Sequence, residues 1–188
     1  MKSVKAPIHI DTARLVLQQP TITDAAAIFE RYASDREVTR FVGWPRHRSV
    51  EDTRAFLRFS AEEWTQWPAG PYLIRSRREG QLLGGTGFGF ESPHQAMTGY
   101  VLARDAWGQG YATEALEAII EIARRIGVAR LYALCHPAHR ASWRVLEKCA
   151  FARHDVPKRQ AEFPNLSPGV QQDVLCYAMV LGTANGAG

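Results

Sequence analysis

The chain has 188 residues and a formal charge of +4, from 23 Lys and Arg against 19 Asp and Glu. Hydrophobic residues make up 46% and charged residues 22%, which suits one globular domain and excludes global disorder. The basic residues are spread along the chain, so the composition gives no support for direct binding of nucleic acid. No apolar stretch is long enough for a membrane span or a signal peptide. Three cysteines without CxxC spacing indicate reduced thiols and no metal site, so we predict a soluble cytoplasmic protein.

Apolar spacing and turn signals predict a mixed α and β domain. The predicted elements, in chain order, are a strand at 14–18, helices at 23–36 and 49–66, strands at 72–77, 82–90 and 98–102, a helix at 112–126, a strand at 131–135, a helix at 141–149, and strands at 151–156 and 173–180. Ser49 opens the second helix with Asp52 three residues later, which predicts a capping box. The predicted buried stripe of that helix is Val50, Phe56, Leu57 and Trp64. We expect one domain over residues 1–182 and a flexible tail at 183–188.

Glycine alternates with larger residues in the strand at 82–90. One face carries Gly85, Gly87 and Gly89, and the other carries Thr86, Phe88 and Phe90. A glycine face either lets another element pack closely or leaves room for a substrate, and the sequence leaves both interpretations open.

The segment from Gly99 to Ala115 carries the strongest functional signal. A strand leads into a glycine-bearing turn, and the turn opens a long helix. Free N–H groups and the dipole at a helix start bind anions, and Gly108 and Gly110 let a phosphate approach the backbone closely. Thr113 occupies the third glycine position of a dinucleotide fingerprint, and no Walker motif is present, which disfavours NAD and ATP. The segment therefore predicts a site for another phosphate-bearing ligand.

The run Trp-Gly-Gln-Gly-Tyr-Ala-Thr-Glu-Ala at 107–115 resembles the acetyl-CoA pyrophosphate loop of the GNAT superfamily. Its form is similar to the RimJ/RimL type, the ribosomal-protein N-terminal acetyltransferases and their relatives. Further segments also resemble the family and follow one another in the family's order along the chain. They are the opening strand at 12–17, a second cofactor helix at 142–148 and the closing strands around 160–163 and 173–177. The resemblance covers nearly the whole chain.

The resemblance implies an α/β (α+β) fold, with a mixed and mostly antiparallel sheet of six to seven strands and about four helices. It implies direct transfer of acetyl from acetyl-CoA to a primary amine, such as a protein N-terminal α-amine. The residues that it assigns to the cofactor are Tyr100, Val101, Leu102, Trp107, Gly108, Gln109, Gly110, Tyr111, Ala112, Thr113, His139 and Ser142.

Two positions depart from the family pattern. His139 stands where Asn usually helps to hold the pantetheine arm, although an imidazole can still donate a hydrogen bond. Ala150 stands where Gly usually precedes Phe151, which predicts that the backbone at this position does not need a positive φ.

The resemblance also implies catalytic roles. Ser142 matches the acid that protonates the leaving sulfur, and Glu162 matches a base that acts through water. Backbone N–H groups near Val101 and Leu102 would polarise the thioester carbonyl. A modest base suits an α-amine, with a pKa of about 7.7–8.0, better than a lysine at about 10.4. Simpler roles stay open, because Ser142 could only satisfy backbone donors at a helix start and Glu162 could be an exposed loop carboxylate.

By the same resemblance, Trp44, Arg46 and His47 border the acceptor, opposite a loop at 157–169. These groups could bind a peptide terminus, an amino acid or an acidic small molecule. Two alternatives stay open: acetylation of a small-molecule amine (an amino acid, polyamine or antibiotic) and an acetyl-CoA-binding regulatory module without turnover. The residues fit a monomer or a homodimer. Cys135 is expected in the core, since His136 follows it on a strand and faces the other way.

Overall fold

The computed structural model describes residues 4–182, except the side chains of 155–158, so the predicted tail at 183–188 lies outside the described residues. The elements are β1 (His9–Asp11), β2 (Leu15–Gln18), α1 (Ala25–Ile28), α2 (Val50–Gln66), β3 (Pro71–Ser76), β4 (Leu82–Ser92), β5 (Gln95–Leu102), α3 (Tyr111–Arg125), β6 (Arg130–Cys135), α4 (Arg140–Lys148), β7 (Ala152–Glu162) and β8 (Gln171–Val180). A 3₁₀ turn at Ile22–Asp24 precedes α1, a π-helical stretch at Phe29–Ala33 continues it, and a second 3₁₀ turn spans Arg104–Ala106.

All eight strands of the described residues form one sheet in the order β1-β2-β3-β4-β5-β6-β8-β7. Every neighbouring pair is antiparallel except β5 and β6, which are parallel. The fold class is therefore the predicted mixed and mostly antiparallel one, with one strand more than the six to seven expected. The additional strand is β1, which has three residues at the sheet edge and is too short for alternation to reveal.

The helices cover both faces of the sheet. Buried residues of α3 pack with β5 and β6 in the larger core cluster, while α1 and α2 enclose a second cluster on the other face. The capping box of α2 is confirmed, since the Ser49 hydroxyl accepts from the Asp52 N–H and Asp52 accepts from the Ser49 N–H. In the predicted stripe Leu57 and Trp64 are buried, whereas Val50 and Phe56 are half-buried. None of the helices within 4–182 has both the length and the apolar composition to cross a membrane.

The glycines of β4 allow close packing. A Cβ atom at Gly87 would lie 2.6 Å from the Cα of Pro71, and one at Gly85 would lie 3.3 Å from the hydroxyl of Tyr32. The close-packing interpretation therefore holds at these two positions. The backbone of Pro71 packs against Gly87, and the side chain of Tyr32 packs against Gly85.

Strand β7 is longer than predicted. The prediction ended it at 156, before Pro157, but β7 is an edge strand whose register shifts between His154 and Arg159. Edge strands and bulges tolerate proline. The loop expected at 157–169 is consequently shorter, because residues 157–162 belong to β7.

Helix α4 ends on a left-handed alanine. The φ angle of Ala150 is 62°. The Phe151 N–H donates to the Leu146 carbonyl and the Ala150 N–H to the Glu147 carbonyl, which is the pattern of a Schellman motif. The prediction of ordinary backbone at Ala150 was wrong, because the reversal from α4 into β7 sets this angle whatever the residue type.

Candidate active site

A gap opens in the middle of the sheet between β5 and β6. The two strands pair at Gln95–Arg130, Ala96–Leu131 and Met97–Tyr132, and no further pair joins them in the described residues. Both strands continue beyond this point, β5 to Leu102 and β6 to Cys135. Their C-terminal halves therefore border an opening.

The register of β4 and β5 fixes which N–H groups of β5 face this gap. Ala103 N–H donates to the Leu83 carbonyl, and donors alternate sides along an antiparallel strand. The N–H groups of Tyr100 and Leu102 therefore point away from β4 toward the gap, whereas that of Val101 points toward β4.

The glycine turn leads from β5 into α3. Gly108 has φ 73° and Gly110, the N-cap of α3, has φ 79°, so both adopt the left-handed conformation that glycine favours. A Cβ atom at Gly108 would meet no heavy atom within 4 Å, so open space lies against the backbone here. The first turn of α3 adds the N–H groups of Tyr111, Ala112 and Thr113. This arrangement fits a bound pyrophosphate.

Side chains within the turn hold its shape. The indole N–H of Trp107 donates to the Leu102 carbonyl at 2.8 Å, and the Gln109 amide donates to the Asp105 carbonyl at 2.8 Å. The side chains of Trp107 and Gln109 thus have partners within the protein, and the backbone is the part of the turn available to an anion.

The opening segment of the chain also fixes this turn. The Glu114 carboxylate accepts from the Thr12 hydroxyl at 2.6 Å and from the N–H and Nε of Arg14, both at 2.7 Å. Arg14 also donates to the Gln109 carbonyl at 2.9 Å. Burial alone would raise the pKa of Glu114, but these hydrogen bonds and the Arg14 charge hold it below its usual range. Sequence reasoning missed the contact because Arg14 and Glu114 are 100 residues apart.

Ser142 lies between Tyr100 and Cys135. The Tyr100 hydroxyl donates to the Ser142 carbonyl at 2.6 Å, and the Ser142 hydroxyl donates to Tyr100 Oη at 3.3 Å. The Cys135 sulfur is 3.4 Å from Ser142 Oγ. Burial raises the pKa of both Tyr100 and Cys135, so both groups stay neutral. Cys135 is buried, as predicted.

Glu162 lies at the end of β7, and its Oε1 accepts from the Gly169 N–H at 2.8 Å. This bond closes the turn between β7 and β8. Ser142 and Glu162 have separate partners in the structure, and the role of Glu162 as a base stays a prediction.

His139 is the N-cap of α4 and stacks on Phe41, with ring centroids 4.9 Å apart. Burial and the neighbouring His136 lower the pKa of His139, so its imidazole is neutral at pH 7. Phe41 belongs to an irregular segment with no periodic signal, which explains why the sequence did not reveal the contact.

Trp44, Arg46 and His47 line a cleft of about 670 Å³ together with Tyr32 and residues of α2. The His47 Nδ1 is 2.8 Å from the Thr53 hydroxyl, and burial lowers the pKa of His47. The structure therefore brings the three predicted acceptor-side residues together.

Asn165 fixes the wall of this cleft. Its amide donates to the carbonyls of Thr39 and Trp44 at 2.7 and 2.9 Å, and its Oδ1 accepts from the Arg46 N–H at 2.8 Å. The loop after Glu162 is thereby joined to the segment that carries Trp44. An isolated loop asparagine gives no sequence signal for such a role.

The chain is similar in sequence to known acetyltransferases. The family model described as acetyltransferase (GNAT) domain matches residues 14–152. YoaA of Bacillus subtilis (strain 168), an uncharacterized N-acetyltransferase, is 29% identical over 174 residues, which cover 91% of this chain and 96% of the relative.

Two solved structures share the fold. RimL, a ribosomal L7/L12 alpha-N-protein acetyltransferase solved with coenzyme A, has 23% identity and a TM-score of 0.78, covering 94% of this chain and 97% of its own. The microcin C7 self immunity acetyltransferase MccE, solved with acetyl-CoA and AMP, has 20% identity and a TM-score of 0.80, covering 95% and 98%.

Proposed function

The chain belongs to the GNAT acetyltransferase family and is an acetyl-CoA-dependent N-acetyltransferase, and we propose that its acceptor is the α-amine of a peptide or protein N-terminus. The observation that supports the donor is the left-handed Gly108–Gly110 turn at the start of α3, with open space against Gly108, beside the gap between β5 and β6. The turn suits the pyrophosphate of a thioester donor, and the gap suits its pantetheine arm. The α-amine is favoured as acceptor because a base that acts through water suits an amine with a pKa of about 7.7–8.0.

The residues present fit acetyl-CoA. The N–H groups of residues 108–113 would hold the pyrophosphate, and Tyr100, Val101 and Leu102 would line the pantetheine arm. The bound donor supplies an acetyl group activated as a thioester. The Leu102 N–H, which faces the gap, would polarise the carbonyl oxygen as negative charge develops there.

Attack by the neutral amine forms the C–N bond and breaks the C–S bond, after which the sulfur takes a proton. Ser142 would give this proton, because its hydroxyl makes only long contacts, 3.3 Å to Tyr100 Oη and 3.4 Å to the Cys135 sulfur, and can turn at little cost. A thiol with a pKa of about 8.5 also leaves without help, so this acid assists the reaction and is not indispensable. Glu162, whose Oε1 is occupied by the Gly169 N–H, would accept the amine proton through water at its second oxygen.

Calorimetry with acetyl-CoA, CoA, NAD and ATP tests the donor site. We expect acetyl-CoA and CoA to bind with micromolar affinity, and NAD and ATP not to bind. Gly108→Ala should weaken acetyl-CoA binding at least tenfold (about 1.4 kcal/mol), because a methyl group would enter the phosphate space.

Gly80→Ala is the matched control for this substitution. Gly80 has φ 69° and, like Gly108, no heavy atom within 4 Å of a Cβ position, but it lies in the β3–β4 turn. Both variants should lose similar stability, about 1 kcal/mol. Equal effects of both on acetyl-CoA binding would mean that the 108–110 turn is only structural.

Acetylation of a small-molecule amine is the second candidate. The cleft beside Trp44, of about 670 Å³, has the size of a small-ligand pocket and could hold a free amine as well as one side chain of a peptide. Release of CoA thiol across matched peptides and free amines separates the two candidates. A complete lack of turnover despite tight acetyl-CoA binding would favour the regulatory module.

A further inference from the structure

Tyr32 is a largely buried residue whose hydroxyl has no hydrogen-bond partner among the described residues. Its side chain is 4% exposed, and it lies in the π-helical stretch after α1. The hydroxyls of Tyr72 and Tyr177, which are equally buried, donate to the Pro7 carbonyl and to Glu147 at 2.6 and 2.9 Å. Buried tyrosine hydroxyls normally find a partner, and π-helical turns often mark functional sites. The Tyr32 hydroxyl is therefore a candidate ligand contact.

The cleft around Tyr32 is mostly apolar. Its walls include Ile28, Trp44, Phe56 and Phe59, and Phe59 is 53% exposed. Two charged groups of the lining, Arg46 and Asp52, have other partners. Arg46 donates to the Ser34 carbonyl at 3.2 Å, and the Asp52 carboxylate caps α2. The walls of the cleft are thus mostly apolar and suit an apolar group, and the lining also includes Arg48.

The Tyr32 side chain, which lines this cleft, extends toward β4 and β5. The point where Gly85 would carry a Cβ atom is 3.3 Å from the Tyr32 hydroxyl and 3.8 Å from Val101 Cγ1. Val101 immediately precedes Leu102, whose N–H faces the gap proposed for the thioester. A group that bonds to the Tyr32 hydroxyl therefore lies next to the segment of β5 where acetyl transfer is proposed.

We propose that the acceptor is an α-amine whose own side chain is large and apolar, with that side chain in the Tyr32 cleft and its carbonyl oxygen accepting from the Tyr32 hydroxyl. The inference rests on the proposed function, because it names the substrate class of the same site. Trp44 and Phe56 select the side chain, and Tyr32 orients the amine.

A first test combines stability with activity. Tyr32→Phe removes a hydroxyl that has no hydrogen-bond partner among the described residues, so the variant should unfold at the same or a higher urea concentration than the wild type. Its kcat/KM for an acceptor peptide should nevertheless fall about three- to tenfold, with acetyl-CoA affinity unchanged. Tyr72→Phe is the control: it loses the bond to Pro7, so it should be less stable with unchanged acceptor kinetics. Unchanged kcat/KM in Tyr32→Phe would overturn the role of this hydroxyl.

A second test varies the acceptor. Peptide amides that differ only in the first residue (Phe, Leu, Ala, Ser or Glu) are compared with phenylalanine amide and leucine amide. We expect Phe and Leu peptides to exceed the Ala peptide about tenfold or more in kcat/KM, and Phe56→Ala to remove most of this preference. Equal use of the free amides and the peptides would make the amino acid the source of the amine.

Calorimetric binding distinguishes a failure of the proposed substrate class from a failure of the proposed function. Each acceptor is titrated into the protein saturated with CoA, so the result does not depend on turnover. Failure of acetyl-CoA to bind refutes the proposed function. Intact acetyl-CoA binding with no preference for large apolar first residues, or a preference for Ser or Glu, refutes the substrate class and leaves the proposed function standing.

Discussion

Replacing Ala150 with glycine tests whether the end of α4 stores backbone strain. A non-glycine residue with left-handed φ costs about 1–2 kcal/mol, and Ala150 has φ 62°. Glycine removes this cost but adds about 0.5–1 kcal/mol of backbone entropy in the unfolded chain. Ala150 is exposed, so the change loses no packing. The net expectation is a gain of about 0.5–1 kcal/mol, or a Tm increase of about 1–4 °C for a chain of this size.

Urea unfolding and thermal melting of Ala150→Gly measure this gain. Ala61→Gly is the matched control, because Ala61 is also exposed but lies in the middle of α2, where glycine should cost about 1 kcal/mol. The same substitution should therefore change stability in opposite directions at the two positions. A loss of stability in both variants would refute the reasoning and would mean that Ala150 carries little strain.

Three further substitutions test the site. Ser142→Ala should lower kcat with little change in the KM for acetyl-CoA. The decrease should not exceed about a hundredfold, because the thiolate can also leave without an acid. A loss of acetyl-CoA binding instead would indicate a structural role for Ser142. Glu162→Gln should lower kcat/KM and change the pH–rate profile, and an unchanged profile would remove Glu162 from the mechanism. Glu114→Gln should raise the KM for acetyl-CoA several-fold by loosening the turn. Because the pKa of Glu114 is lowered in the folded protein, its stabilising effect is present above the unfolded pKa of about 4.3 and is lost as the pH falls through the folded value. Urea midpoints at pH 6 and pH 3.5 should therefore differ less in Glu114→Gln than in the wild type or in the exposed control Glu117→Gln.

The local sequence determined the framework of this protein. The capping box at Ser49, the apolar spacing of α3 and the strand and turn signals are each contained within a few residues. They predicted the mixed sheet and the four helices, apart from the short β1, the length of β7 and the first helix. That helix was predicted over 23–36, but it is α-helical only at Ala25–Ile28 and its π-helical continuation ends at Ala33. The glycine turn at Gly108 and Gly110, which we propose as an anion site, could be predicted for the same reason, since its glycines and the helix start lie within one short segment.

Only the tertiary structure decided how distant segments complete the site. The bond from Arg14 to Glu114, the bonds from Asn165 to Thr39 and Trp44, and the approach of Tyr32 to Gly85 join residues far apart in sequence. Such contacts depend on how the helices and loops pack on the sheet, and no local pattern encodes them.

The left-handed angle at Ala150 has the same origin, because the direction from α4 into β7 is fixed by the position of β7 beside β8. The residue type favoured the opposite conclusion, but packing of the two elements outweighs a local cost of about 1–2 kcal/mol. The sequence therefore determined the chemistry of the turn proposed to bind the donor, whereas packing between distant segments determined the shape and apolar character of the cleft proposed for the acceptor.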